Sequence, residues 1–377
     1  MEPVIIGIIG CGVISDAYLK GAARSRLIKV KAVADLRHEA AQEKASAYGC
    51  EAVTIDQLLA DRDIEIVVNL TIPAVHAKVD LDILDARKHA YSEKPLAASL
   101  KEADAVIAKA HEKGLRVGCA PDTFFGASHQ AARLAIDSGL IGAVVGGSVT
   151  IASRGMEHWH PDPRFFYQPG GGPHADVGPY YLAQLVNLLG PVEAVSAITT
   201  TPFEKRTITS EKLNGTVFDV AVPTTINGSL LFASGANVAL TMSWDIWASK
   251  RPKFEIYGSE GSLQNPDPNY FGGTPEFTNK GGAWEPVSIS EFAFGETNRT
   301  TIFGLDVADY RAAGLADMAV ALRTGRAHRA SGELAYHVLE ILESLETSAK
   351  TKQHVLLKSS CARPEALPKG RDENVLV

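Results

Sequence analysis

The sequence predicts an α/β chain in which a doubly wound parallel sheet is followed by an α+β domain with a mostly antiparallel sheet. Three observations carry that reading. A strand, a glycine turn and a helix open the chain; short apolar runs alternate with helical segments as far as about Pro121; and after Asp122 the strands turn to period two. The length agrees, since 377 residues exceed one small core and suggest two domains or slightly more.

The first strand, Val4-Ile5-Ile6-Gly7-Ile8-Ile9, runs into Gly10-Cys11-Gly12-Val13-Ile14-Ser15 and then into a helix-compatible segment. That order builds a pocket for a dinucleotide pyrophosphate. Gly10 permits the tight turn and Gly12 lets the backbone approach the phosphates, whose charge is met by the amide groups around Val13 and Ile14 and by the helix dipole. Ser15 stands in the third glycine slot. Twenty residues further on, at the tip of the second strand Lys29 to Asp35, Asp35 is placed to accept the ribose hydroxyls. Arg37 offers a partner for a 2′-phosphate, but the charge of Asp35 opposes that phosphate, so NAD is expected in preference to NADP.

Further strands are expected at Ile66 to Leu70, His89 to Ser92 and Leu115 to Cys119, with a capping box at Ser99 to Glu102 opening a helix that Gly114 ends. Cofactor crevices lie beyond the carboxyl ends of parallel strands. That rule singles out Thr71, Pro73 and His76 after one strand, and Glu93 and Lys94 after the next. A lysine there can neutralise a developing alkoxide or lower the pKa of a neighbouring hydroxyl; its plain alternative is a surface lysine paired with Glu93.

In the second half a helix is expected from Ala131 to Ser138. The clearest strand puts Val238, Leu240, Met242 and Trp244 on one face, and Ala239, Thr241, Ser243 and Asp245 on the other, after a Ser234-Gly235 turn. Helices should cover one side of this sheet, leaving the other solvated or at a subunit interface. Asn265 to Thr300, rich in Pro, Gly and Asn, reads as an irregular excursion able to serve as a lid. Helices are expected at Asp306 to Thr324 and Gly332 to Lys350, then a mobile polar tail from Lys358. The division is therefore 1–122, 123–357 and 358–377.

Composition narrows the partners. Hydrophobic content of 45% with 21% charged residues is ordinary for a globular protein. A net charge of −7 leaves no basic excess to displace counterions from nucleic acid or to bind an anionic membrane. Four cysteines without C-x-x-C spacing suit reduced thiols in a cytoplasmic protein. No apolar run is long enough to span a bilayer, and the N-terminus lacks the flanks of a signal peptide.

A second constellation is Gly170-Gly171-Gly172-Pro173-His174-Ala175-Asp176-Val177-Gly178-Pro179-Tyr180. Asp176 and Tyr180 are four apart, which places both on one face of a helical first turn; packing is the competing explanation for the tyrosine. His174 is a rival base on the substrate side. His158, Trp159 and His160 are candidates to line a substrate pocket, or else they are loop residues packed on the sheet. The two histidines, with Glu157 and Asp162 nearby, fit no common zinc spacing, so no metal is expected.

Taken together, Gly10-Cys11-Gly12, Asp35, Pro73 to His76, Glu93-Lys94-Pro95 and the Gly170 to Tyr180 block occur in the order and approximate spacing of the Gfo/Idh/MocA oxidoreductase family, which the chain resembles over nearly its whole length. The resemblance implies an N-terminal Rossmann domain, a C-terminal domain with a large open-faced sheet, and a homodimer or homotetramer formed through that face. It implies hydride transfer between a nicotinamide and a sugar, sugar acid or inositol-like polyol. Lys94 then maps to the family's Glu-Lys-Pro lysine and Asp176 to the aspartate of its Asp-x-x-x-His motif, with Tyr180 where most members carry histidine. An unperturbed tyrosine, with a pKa of about 10, needs a nearby cation to act as a base near neutrality, and Lys94 is the expected one. Two other readings stay open: an NAD-dependent glycoside hydrolase of the same family, and a non-catalytic nicotinamide sensor.

Overall fold

The computed structural model describes all 377 residues, Met1–Val377. In the first half, strands β1 (Val4–Ile9), β2 (Ile28–Ala34), β3 (Glu51–Ala52), β4 (Ile66–Asn69), β5 (His89–Ser92) and β6 (Val117–Cys119) alternate with helices α1 (Ser15–Arg24), α2 (His38–Tyr48), α3 (Ile55–Ala60), α4 (His76–Asp85) and α5 (Leu100–Lys113). The sheet order is β3-β2-β1-β4-β5-β6, and every pairing is parallel. All four residues of β4 are buried, as a strand covered by helices on both faces requires. Strand order reverses between β1 and β4, the switch point at which ligands bind such sheets. The Ser99 hydroxyl accepts from the Glu102 amide at 3.3 Å to start α5, and Gly114 in a left-handed conformation ends it.

The second half begins with α6 (Ala127–Asp137) and β7 (Val144–Ala152), followed by the short α7 (Pro173–Asp176) and α8 (Gly178–Leu189). Then come β8 (Val192–Thr200), the paired β9 (Lys205–Thr207) and β10 (Val217–Asp219), β11 (Thr225–Phe232), β12 (Asn237–Ser243), β13 (Phe254–Gly258) and β14 (Gly261–Gln264). The chain closes with β15 (Glu276–Asn279), β16 (Glu285–Pro286), the paired β17 (Arg299–Thr300) and β18 (Asp306–Val307), α9 (Ala313–Thr324), α10 (Gly332–Thr351) and β19 (Val355–Leu356). Nine strands form one sheet in the order β16-β15-β14-β13-β7-β12-β11-β8-β19, antiparallel except for β7 with β12. On β12, Val238, Leu240 and Met242 are buried while Asn237 and Ala239 are exposed, which is the expected alternation. Every residue of α8 is buried between this sheet and the helices around it.

Three expectations are corrected. The excursion from Asn265 is not wholly irregular, because β15 and β16 extend the sheet edge by antiparallel pairing. The helix expected from Asp306 starts only at Ala313, since Ala312 is left-handed at φ +85° and breaks the turn before it. The tail from Lys358 is packed rather than mobile: Leu367, Val375 and Leu376 are buried in the main core, the Leu367 amide donates to Gln130, and Glu373 pairs with Arg26 at the end of α1.

Helix α9 joins the two halves. Leu315, Met318 and Ala319 pack into the core on one face of the parallel sheet, whereas Ala313, Ala316 and Val320 belong to the core of the second half. The parallel sheet is therefore completed by residues that lie far beyond 122.

Candidate active site

At the end of β1, Gly10 has φ +102°, and a Cβ there would come within 2.6 Å of the Leu70 carbonyl, so only glycine fits. Gly12 differs: nothing lies within 4 Å of where its Cβ would be. The space beside it is open to a ligand, above the N-terminus of α1, which no side chain caps. Ser15 is fully buried and closes the turn with its hydroxyl on the Gly12 carbonyl at 2.6 Å. Asp35 accepts from the amides of Cys11 and Arg37, both at 2.8 Å, which fixes its carboxylate beside the glycine turn, while Arg37 extends into solvent. Val13, Leu36 and Ile72 are 94%, 92% and 66% exposed around this edge. Such exposed apolar side chains make sense against the flat faces of a dinucleotide's bases. Leu36 and Ile72 went unnoticed in the sequence, where a lone apolar residue after a strand carries no signal. Open space at Gly12, an uncapped helix, a fixed Asp35 and an apolar rim together fit NAD.

The loops after β4 and β5 form a second layer. Asn69 and Asp80 are buried; the Asn69 carboxamide accepts from the Thr71 amide and hydroxyl and donates to Asp80, which also accepts from Ser92. Burial raises the Asp80 pKa to about 6 against these hydrogen bonds. His76 does not face the crevice. It is 1% exposed, with one ring nitrogen 2.7 Å from the Pro95 carbonyl and the other 2.9 Å from the Thr71 carbonyl, so it ties together the loops after β4 and β5. Pro73 lies exposed on the first of these loops. Glu93 is also an internal support, accepting from the Tyr18 hydroxyl at 2.8 Å and the Lys94 amide at 3.0 Å.

Lys94 crosses from the first half to the second. Its ammonium donates to the Asp176 carbonyl at 2.7 Å and to the Asp176 carboxylate at 3.2 Å, and lies 5.3 Å from the centre of the Tyr180 ring. Burial opposes the ammonium charge, but Asp176, Tyr180 and Glu93 outweigh it and hold the lysine above its ordinary pKa. Asp176 ends α7 and Tyr180 lies in the first turn of α8, so the two do not share the one helical turn that their i, i+4 spacing predicts; Val177 breaks the helix between them, and packing brings both to Lys94.

A fourth residue, invisible in the sequence, completes the group. Arg311 donates through Nη2 to the Tyr180 hydroxyl at 3.1 Å. Burial opposes its charge too, and Tyr180, Asp309 and Glu93 raise its pKa above the usual arginine value. Nothing in the local pattern Asp309-Tyr310-Arg311-Ala312 marks this residue; the positive φ at Ala312, which would have been a clue, is not written in an alanine.

The remaining candidates separate. His174 is buried, with Nε2 2.8 Å from Glu346 of α10, and that contact holds the Glu346 carboxyl down at about 2. His174 Nδ1 has no partner. His158 is partly buried; burial and then Arg154 push its pKa down, and its Nδ1 is likewise unpaired. His160 and Trp159 sit edge to face with each other, and Trp159 meets Phe303 in the same way at 5.8 Å. Their loop is anchored by Glu157, which pairs with Arg206 at 2.6 Å; Arg206 in turn pairs with Asp245 and stacks on Tyr167. Trp244 is a core residue at 1% exposure, and Trp247 lies on the surface 5.2 Å from the Arg154 guanidinium. No three His, Cys, Asp or Glu side chains converge as a metal-ligand set. No helix is long and apolar enough to cross a membrane.

Comparison with known proteins agrees with this architecture. Residues 4–120 match the oxidoreductase family with an NAD-binding Rossmann fold, and residues 129–264 match the GFO/IDH/MocA C-terminal domain. A dTDP-3,4-didehydro-2,6-dideoxy-α-D-glucose 3-reductase of Streptomyces violaceoruber is 30% identical over 262 residues, covering 68% of this chain and 71% of that protein. Inositol 2-dehydrogenase of Rhizobium meliloti (strain 1021) is 28% identical over 69% of this chain and 74% of its own length. Across these and further curated relatives the matches span 40% to 74% of the other protein. Among solved structures, a levoglucosan dehydrogenase in complex with NADH superposes with a TM-score of 0.79 at 21% identity, covering 95% of this chain and all of that one.

Proposed function

Because the chain belongs to the Gfo/Idh/MocA family of NAD-binding oxidoreductases, we propose that it interconverts the carbinol and carbonyl of a sugar, an inositol-like polyol or a sugar-derived acid. The supporting observation is the meeting of Lys94, Asp176, Tyr180 and Arg311 beyond the carboxyl end of the parallel sheet. Named activities of the relatives, on a dTDP-hexose, on inositol and on levoglucosan, point to the same substrate class.

NAD, when bound along Gly10, Gly12, Val13, Ile14 and Asp35, supplies the two-electron acceptor or donor. The protein's own part is to hold the substrate and move a proton. In oxidation Tyr180, as the phenolate, takes the proton of the substrate hydroxyl, so one O–H bond breaks as another forms, and the hydrogen of the carbinol carbon leaves with its bonding electron pair, as a hydride, for bound NAD. In reduction the same phenol returns the proton. Lys94 keeps positive charge beside the reacting oxygen and fixes Asp176, whose second carboxylate oxygen is left for a substrate hydroxyl. His158, Trp159 and His160 supply the aromatic wall on the substrate side, with His174 behind them as a support for α7 rather than a base.

On the nine-stranded sheet Asn237 and Ala239 of β12 are exposed, and Ile198 of β8 and Val145 of β7 are 73% and 58% exposed. That supports a homodimer or homotetramer formed through this sheet.

A panel of polyols, aldoses and sugar acids, with NAD and NADP in parallel and nicotinamide absorbance as the readout, tests the proposal. NAD should be the better coenzyme because Asp35 repels a 2′-phosphate. Tyr180→Phe should lower turnover about tenfold or more with NAD binding intact; unchanged turnover rejects the assignment.

A further inference from the structure

We infer that Arg311, rather than Lys94, sets the charge form of the Tyr180 hydroxyl, and that Asp122 is the positioning residue that keeps Arg311 there; this rests on reading Tyr180 as the acid/base group. Geometry separates the two cations. Lys94 spends its donors on the carbonyl and carboxylate of Asp176 and meets Tyr180 only over the ring. Arg311 touches the oxygen itself and is the one side chain hydrogen-bonded to it. A hydrogen bond from a guanidinium favours an anionic acceptor and stays charged at every working pH, whereas a cation over the ring face acts more weakly on the oxygen.

The backbone around Arg311 is arranged to hold that contact. Ala312 occupies the left-handed region at φ +85°, a conformation unfavourable for a residue with a Cβ. Asp122, 1% exposed at the end of the first half, accepts from the Ala312 amide at 3.1 Å and the Gly314 amide at 2.9 Å. On the other side the Arg311 carbonyl lies against Gly21 of α1, where any Cβ would overlap it. Tyr310, Arg311, Ala312 and Phe294 line a cavity of about 550 Å³, while Ala312 and Ala313 pack into the two cores. Polar contacts complete the anchoring: Asp122 holds the Ala312 and Gly314 amides, and Asp309 accepts from the Arg311 amide at 3.4 Å and pairs with its guanidinium at 3.6 Å.

The charged groups around Tyr180 are Lys94 and Glu93 from the end of β5, Asp176 from α7, and Arg311 and Asp309 from the segment before α9, with Asp122 behind them. Glu93 is occupied by Tyr18 and the Lys94 amide, and Asp309 is shared between Arg299 at 2.9 Å and Arg311 at 3.6 Å. Of these groups only Arg311 reaches the phenol oxygen, through Nη2, while its Nη1 pairs with Asp309.

The test compares the NAD-bound protein with Arg311→Met, Arg311→Lys, Asp122→Ala, Asp122→Asn and Tyr180→Phe. Two readouts are taken: the pH dependence of kcat/KM for oxidation, and the ultraviolet tyrosinate band on alkaline titration, with Tyr180→Phe identifying the contribution of that phenol. In Arg311→Met the acidic limb and the band should both move up by about one pH unit or more, with a smaller move in Arg311→Lys. Asp122→Ala should move them the same way, and Asp122→Asn, which keeps an acceptor, should restore them. An unmoved limb and band in Arg311→Met overturn the inference, and if that variant does not fold, an unmoved Arg311→Lys overturns it equally. Full turnover in Tyr180→Phe would instead remove the acid/base reading, while the band would still show whether Arg311 governs the phenol.

Discussion

The two sides of the crevice are built differently. On the cofactor side the working residues are near neighbours in sequence: Gly10, Gly12, Val13 and Ile14 form one turn, and Asp35 reaches that turn across 24 residues by way of the adjacent strand. On the side proposed to handle the proton, Lys94 meets Asp176 across 82 residues and Arg311 meets Tyr180 across 131. The first is a local device that a strand and a helix present almost automatically. The second exists only once α8 and α9 are packed against the parallel sheet, so it depends on the whole fold being closed.

Lys94 stands on the border, and its substitution is the strongest way to break the distinction. Lys94→Met should lower kcat about a hundredfold or more, because both hydrogen bonds to Asp176 and the charge beside the phenol vanish together. NADH affinity, followed by fluorescence titration, should change no more than a few-fold. An equal loss of affinity would assign Lys94 to the cofactor side instead. Gly10→Ala attacks that side alone: with φ at +102° and the Leu70 carbonyl in the way, NADH should bind about tenfold more weakly or worse. The tyrosinate band of Tyr180 should stay where it is, and its movement would show that the two sides are coupled.

The smallest effect sharpens the comparison from outside the crevice. Hydrogen bonding to His174 depresses the Glu346 pKa to about 2, so the pair's contribution is complete above the unfolded carboxylate's value near 4 and disappears as pH falls through about 2. Glu346→Gln should therefore lower Tm by about 2 °C near neutral pH, with the gap closing between pH 4 and 2. Calorimetry across that range checks it. Turnover should be nearly unchanged if His174 is a support and not a base.

Much of the fold was legible because it is written in short-range patterns. Buried parallel strands read as apolar runs, the period-two strand at Val238 to Met242 kept its inward face, and Ser99 and Gly114 marked the ends of α5 correctly. The tail departs from its polar composition, which suggests mobility, because Leu367, Val375 and Leu376 are three well-placed apolar anchors among polar neighbours. His76 and Glu93 depart from expectation for another reason. Position after a strand placed them beside the crevice, but only the packed loops decide which way a side chain turns, and both turn inward to satisfy buried polar groups.

By itself, then, the sequence determined the parallel sheet and the glycine turn with its acidic partner, since each depends on spacing within a strand or turn, and its resemblance to the family pointed to Lys94, Asp176 and Tyr180. Tertiary structure alone decided that an arginine from the seam before α9 meets the phenol, that Lys94 holds Asp176 rather than the hydroxyl, and that His174 answers to Glu346. The reason is physical: a hydrogen bond between residues more than a hundred positions apart is fixed by how helices pack on a sheet, and no periodicity in the chain records it.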